Sequence, residues 1–424
     1  MIIEDVVFQH AEEAAFLWGQ RSAAVSLPHY RLRDLSHLDM RLDAHLDGLR
    51  IAGDAGWQLL EEQLHWQEGG EVFAAAVIAL ESGSPERFDR VLEAGLSDYD
   101  GITTSDQLRG LISAFGWIPF EKVRHRLEVC LGSTSAPIRT IGIAGAALHR
   151  KDPGPALADA LDSEEPNLRT RAAKAAGESG RVDLVQHLRR DGSREHRQRF
   201  YRAWALSLLG VRDAVMDLQT LALENDLYSE RAVDCAARIM AVDEAKGWLT
   251  GLSSNLETTR LAAKGAGALG DPSVMSWLIQ QMAVPDNARV AGEAFAMITG
   301  VDIAYEDLEG EWPDGYEAGP TDEPGDEDVA MDPDEDLPWP DAELVDKWWG
   351  SNRGRFVNGR RYFLGQPAEE ASWRSGLKQG FQRQRLAAAL ELALSDPKSL
   401  LLEVRAPGFR QIAEASRRHN RHPK

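Results

Sequence analysis

A repeat of fixed period constrains this chain more than any other feature. Ala172-Ala173-Lys174-Ala175-Ala176-Gly177-Glu178-Ser179-Gly180 returns as Ala262-Ala263-Lys264-Gly265-Ala266-Gly267-Ala268-Leu269-Gly270. Gly180, Gly210, Gly270 and Gly300 fall on one 30-residue grid, with Met240 in the gap. Eleven residues before the grid position stand Arg109, Arg139, Arg169, Arg199 and Arg289, and four before it Ala146, Ala176, Leu206, Ala236, Ala266 and Ala296. The register holds from about residue 105 to 300 without an insertion.

Each unit reads as two helices. The first carries small residues that let neighbours approach closely. Glycine then supplies the left-handed residue that ends it. Asp271-Pro272 opens a second helix, where proline is tolerated in the first turn. Val185-Gln186-His187-Leu188, Val215-Met216-Asp217-Leu218 and Val274 to Ile279 carry apolar residues at helical spacing. One such unit cannot bury its own apolar face, so units must stack. The expected fold is mainly α, an α-α solenoid. Residues 1–104 are also helical in pattern, with Leu32, Leu35, Leu38, Leu42, Leu46 and Leu49 recurring every three or four residues, and read as an N-terminal cap with degenerate repeats. The array, residues 105–301, resembles the bacterial HEAT-like repeats known from phycobilin lyases, and Leu261 to Asp271 is the nearest copy. That resemblance speaks to fold, because such repeats serve mainly as binding surfaces.

The texture changes after Gly300. Residues 302–346 hold 19 acidic residues and no Lys or Arg, with prolines at 313, 320, 324, 333, 338 and 340. The expectation is an acidic linker, disordered or loosely tethered over 309–336. Residues 347–424 reverse the balance, with 16 basic against 6 acidic residues. They are expected to form a small basic α+β module. Its expected parts are a hairpin turning at Asn358-Gly359, a helix through Leu386 to Leu394, a strand at Leu400 to Val404 and a last helix from Phe409 to Arg418. The net charge of −21 therefore sits mostly in one short segment. It disfavours a general nucleic-acid binder, since acidic surfaces repel phosphates.

A second resemblance covers nearly the whole chain. It rests on Trp339-Pro340-Asp341 with Trp348-Trp349, on Gly359-Arg360-Arg361-Tyr362-Phe363-Leu364-Gly365, on Gln382 to Leu394, and on Arg405-Ala406-Pro407-Gly408-Phe409-Arg410-Gln411. Together these resemble a proteobacterial family whose genes tend to lie beside type VI secretion genes. The resemblance implies that setting and brings no catalytic residues with it.

Other motifs carry little chemistry. Gly265-Ala266-Gly267-Ala268-Leu269-Gly270 matches the dinucleotide fingerprint, but that site needs a strand before it, whereas Thr258 to Lys264 reads as helix. The eleven histidines lack the zincin spacing; His37 and His45 are placed to share a face with Asp34 and Asp39. Cys130 and Cys235 lie in helical patterns as buried thiols. No cofactor or metal is expected. The longest apolar run, Val72 to Leu80, is too short to span a bilayer, and the N-terminus has no signal-like pattern, so a cytoplasmic, membrane-free protein is expected.

The residue types favoured at binding hot spots gather late in the chain: Trp339, Trp348, Trp349, Arg360, Arg361, Tyr362, Arg383, Arg385 and Arg410. They are the partner-binding candidates, against the alternatives of a small-module core or pairing with the acidic linker. The functional expectation is a non-enzymatic solenoid that binds a protein, a toxin or secretion component, as an adaptor, chaperone or immunity protein of a type VI secretion locus. Two alternatives stand beside it: a bilin-lyase-like enzyme on the same scaffold, and nucleic-acid binding through the basic module.

Overall fold

The computed structural model describes residues 2–101, 104–190, 192–319 and 331–413. The fold is mainly α, and the described residues form two compact units, Met1–Gly210 with Ser395–Lys424, and Val211–Leu394. The boundary falls inside the 30-residue array and not at 104, 301 or 346.

The first unit contains α1 (Glu4–Ala24), α2 (Leu32–Ala52), α3 (Asp54–Gln63), α4 (Gly69–Ser82), α5 (Pro85–Gly95), α6 (Asp106–Trp117), α7 (Phe120–Leu131), α8 (Ala136–Leu148), α9 (Pro155–Leu161), α10 (Pro166–Glu178), α11 (Val185–Arg190) and α12 (His196–Leu208). The second contains α13 (Ala214–Ala222), α14 (Ser229–Ile239), α15 (Val242–Ser253), α16 (Leu256–Leu269), α17 (Met275–Met282), α18 (Pro285–Thr299), α19 (Ala342–Asn352), α20 (Glu370–Gln379) and α21 (Gln382–Ser395).

Helices α6, α8, α10, α12, α14, α16 and α18 begin at Asp106, Ala136, Pro166, His196, Ser229, Leu256 and Pro285, close to the repeat period. Within the first unit α6, α8, α10 and α12 pack in succession; within the second, α14, α16 and α18 do so. Each intervening second helix, such as α9, α15 or α17, lies chiefly on the first helix that follows it. Small residues make this possible. A Cβ on Gly177 would sit 2.9 Å from the Ala205 Cα, and one on Gly267 would sit 3.0 Å from the Ala294 Cα. The fingerprint-like glycines are thereby accounted for as helix-packing positions inside α16 and its left-handed end.

In the N-terminal region the α2 leucines Leu35, Leu38, Leu42, Leu46 and Leu49 are buried as their spacing requires. The apolar run in α4 is buried between α1 and α6, where Phe73 stacks on Trp18 and meets Trp117 edge-on.

The late part of the chain departs from the sequence expectations in three places. The acidic segment is anchored at points: Asp334 is buried and pairs with Arg260, Glu309 bridges to Pro340, and the flanking Val301, Ile303, Leu308 and Leu337 are buried, while residues 309–319 are exposed or half-buried. Residues 320–330 lie outside the described residues. The hairpin joins β1 (Tyr362–Phe363) to β2 (Gln366–Pro367), so its two-residue turn is Leu364-Gly365, with φ of 49° and 77°, and not Asn358-Gly359. Residues 400–404 form no strand; Leu401 donates its N–H to the Glu178 carbonyl at the end of α10. The last helix covers 408–413, and the rest of the expected span, to Arg418, lies outside the described residues.

The close approach of first helices yields a stability contrast. Gly267→Val is expected to lower stability by roughly 1–3 kcal/mol, because its side chain meets the α18 backbone. Gly247→Ala, in α15 with open space around it, is expected to raise stability by about 0.5–1 kcal/mol. Urea unfolding followed by circular dichroism measures both; equal effects would refute the packing role of Gly267.

Candidate functional site

A stack of helical pairs has two edges, one where the first helices start and one where they end. In each unit the ending edge is occupied by the chain's own later residues. Gly180, Gly210, Gly270 and Gly300 have φ of 63°, 81°, 76° and 74°, the left-handed conformation that glycine tolerates. With no side chain there, backbone from elsewhere comes close. In the second unit a Cβ at Gly270 would lie 2.5 Å from the Tyr362 carbonyl oxygen, and one at Gly300 would lie 2.6 Å from that of Leu364. In the first unit Lys398 and Ser399 lie over Gly180, and Pro397 over Gly210.

Free carbonyls at helix ends attract donors. Tyr362 N–H donates to the Gly270 carbonyl (2.8 Å), Leu364 N–H to that of Met297 (2.8 Å) and Gly365 N–H to that of Ile298 (2.9 Å). The Arg361 guanidinium donates to the carbonyls of Leu269 (2.9 Å), Ala268 (3.2 Å) and Arg238 (3.3 Å), and it pairs with Glu391. Glu391 also accepts from buried Arg238 at 2.9 Å, and Arg238 pairs with Asp234 at 2.7 Å. Buried Asp271 accepts from the Gly359 N–H.

The nine partner-binding candidates are not gathered on one surface. Trp348 and Trp349 set their rings 5.7 and 6.1 Å from Phe295, and Trp349, Phe356 and Tyr362 continue the cluster, so α19 closes the apolar face of α17 and α18. Trp339 meets Trp312 and Tyr316, and the Arg289 guanidinium lies 5.3 Å from its ring. Arg383 donates to Glu293 and to the Pro333 carbonyl. Arg385 is buried and donates to the Leu377 carbonyl and to Gln382; burial pushes it down to about 10. Arg410 lies in the first unit, 3.5 Å from His149. Arg360 is exposed. Arg361, Arg383 and Arg385 therefore spend donors inside the protein, which reduces what a phosphate-bearing partner would meet.

The acidic segment is held by repeat arginines rather than chiefly by the basic residues after 347. Arg260 of α16 pairs with Asp334 (2.5 Å) and Glu230 (2.6 Å), and Arg289 of α18 pairs with Asp332 (2.7 Å). Glu293 sits between Lys264 (2.7 Å) and Arg383 (3.1 Å). Burial raises its pKa, but the two cations outweigh burial and hold it at about 2. Glu178 of the first unit, beside Arg171 and Arg150, is likewise held at about 2 against burial. Both cysteines are buried, and burial pushes the Cys130 thiol to about 11 and that of Cys235 to about 12, so neither is poised as a thiolate.

Helix α2 does not bring His37 and His45 onto a common site with Asp34 and Asp39. His37 and Asp34 line an open cleft of about 420 Å³ with Gln20, His29, Tyr30, Leu38 and Arg41. Asp39 is fully buried, accepting from Arg21 (2.6 Å) and from the Gly408 N–H (2.5 Å). His45 instead meets His10. No sequence signal marks that pair, whose members lie on different helices.

The opposite edge, where first helices start, carries what residue-type reasoning missed. Leu227 precedes α14, Leu256 opens α16 and Val284 precedes α18; they are 88%, 92% and 40% exposed. They recur near the repeat period at the same end of successive helices. Acidic Glu257 and Asp286 are exposed beside them. The available signal was an apolar residue at or beside each of these helix starts, where polar residues are usual.

No family model and no curated protein matches the chain. Among solved structures, one described as an engineered protein aligns over 92% of this chain and 99% of its own, with 15% identity and a TM-score of 0.32.

The held-down carboxylates predict acid sensitivity. Their folded-state pKa lies below the unfolded value, so the stability they contribute is present above about pH 4.5 and is lost as pH falls towards 2. Glu293→Gln is expected to flatten the loss of stability between those limits while lowering stability at pH 7. Thermal midpoints measured from pH 7 to 2 check this; an unchanged acid slope refutes it.

Proposed function

We propose that the protein is a non-enzymatic binding scaffold whose partner is another protein, an adaptor, chaperone or immunity component of a type VI secretion toxin locus. The gene setting comes from the resemblance of Trp339-Pro340-Asp341, Gly359 to Gly365, Gln382 to Leu394 and Arg405 to Gln411 to the type VI-associated family. The observation that carries the binding reading is the apolar edge of Leu227, Leu256 and Val284. Exposed apolar side chains in a row on a helical stack mark an interaction surface. Glu257 and Asp286 beside them favour a partner that presents apolar side chains ringed by Lys or Arg.

No helix among the described residues is long and apolar enough to cross a membrane. The gene setting that the resemblance implies directs the search for the partner to proteins encoded beside this one. Leu227→Glu combined with Leu256→Glu is expected to abolish co-purification with the product of an adjacent gene. Because both side chains are exposed, the unfolding free energy is expected to change by no more than is typical of surface substitutions, about 0.5 kcal/mol each. Retention of the partner by a folded double variant would refute the edge as the binding surface; the absence of any adjacent-gene partner for the wild type would refute the reading itself.

A further inference from the structure

We propose that His10 and His45 form a binding site for a borderline divalent transition ion such as Zn²⁺, Ni²⁺ or Cu²⁺. His10 is on α1 and His45 on α2, and their Nδ1 atoms are 3.2 Å apart. A tetrahedral ion with bonds of about 2.0–2.1 Å to each imidazole nitrogen holds those nitrogens about 3.3 Å apart. The pair therefore already has the bite that such an ion needs. The rings do not stack: their centroids are 5.2 Å apart and their planes inclined at 67°, so the two nitrogen edges converge.

A second feature builds the seat. Gly48, nearly one turn after His45, lies under the His10 ring. A Cβ there would come within 2.4–2.6 Å of His10 Cδ2, Cγ and Nε2. Glycine leaves the space that the imidazole fills, so the ring is placed against α2 rather than free to rotate into solvent. The charges of Glu13 and Arg41 act on His45 in opposite senses. Among the described residues no third His, Cys, Asp or Glu joins the pair at ligand distance, so water completes the coordination. Paired imidazoles select these ions over Mg²⁺ and Ca²⁺, which prefer oxygen ligands.

In the ion-free protein one ring donates its Nδ1–H to the other. On binding, that ring moves its proton to Nε2, and both Nδ1 lone pairs face the ion. No change in net protonation is needed. The site lies within the first unit and is independent of the apolar edge in the second.

Isothermal titration of the full chain with NiCl2 and ZnCl2 tests this, with MgCl2 as control. The wild type is expected to show a site that weakens roughly 10-fold or more in His10→Gln and in His45→Gln. Gly48→Ala keeps both ligands and is expected to weaken the same site by displacing the His10 ring. Cu²⁺ electron paramagnetic resonance of the wild type is expected to show coupling to two nitrogens, read without any variant. Binding of equal strength in His10→Gln and His45→Gln, or a wild-type copper spectrum lacking two nitrogens, overturns the proposal.

Discussion

The left-handed residue that ends most of the first helices is the constraint on which the rest of the structure depends. A left-handed residue lets a helix turn back within a 30-residue unit, and glycine provides it at Gly180, Gly210, Gly270 and Gly300. The same absence of a side chain opens a patch of backbone with unpaired carbonyls. The later part of the chain is shaped to that patch in both units, with residues 397–399 in one and 362–365 in the other. One atom's absence thus serves both the local turn and the tertiary contact.

The exceptions on the grid support that account. Arg150 stands where glycine is expected and still adopts φ of 53°. Its guanidinium donates to the Ala147 and Leu401 carbonyls and pairs with Glu403 at 2.9 Å, so the strained conformation is held by bonds that glycine could not make. Met240 is extended, with φ of −66°, and there the neighbouring Arg238 carbonyl is met by the Arg361 side chain rather than by approaching backbone. At Arg150 and at Met240, arginine takes over the carbonyls.

Charge follows the same logic. The acidic stretch after Gly300 is not simply a solvated tether over its described residues, because Asp332 and Asp334 meet Arg289 and Arg260 on the repeat helices. Buried pairs of this kind add little net stability over an apolar core, but removing one partner is costly. Their effect is to set register: they determine which part of the acidic segment lies against which helix. Charge-rich composition therefore became internal order here, and most of the arginines read as a binding set became part of it.

Helix placement was legible in the sequence because it depends on near neighbours. Small residues, the glycine column and the arginine column mark the period without reference to any distant residue. The turn at Leu364-Gly365 was not legible. Asn358-Gly359 is the better local turn, yet Leu364 accepts positive φ because its N–H and that of Gly365 are captured by the last carbonyls of α18. Residues 400–404 have strand-forming side chains but pair with a helix end instead, for want of a strand beside them. By itself the sequence determined that the chain is mainly α, the period at which its repeat helices recur, and where the charge lies. Only the tertiary structure decided which arginines face inward, that His10 meets His45, and which edge keeps its leucines in solvent. Those outcomes depend on contacts between residues far apart in sequence, which no local pattern encodes.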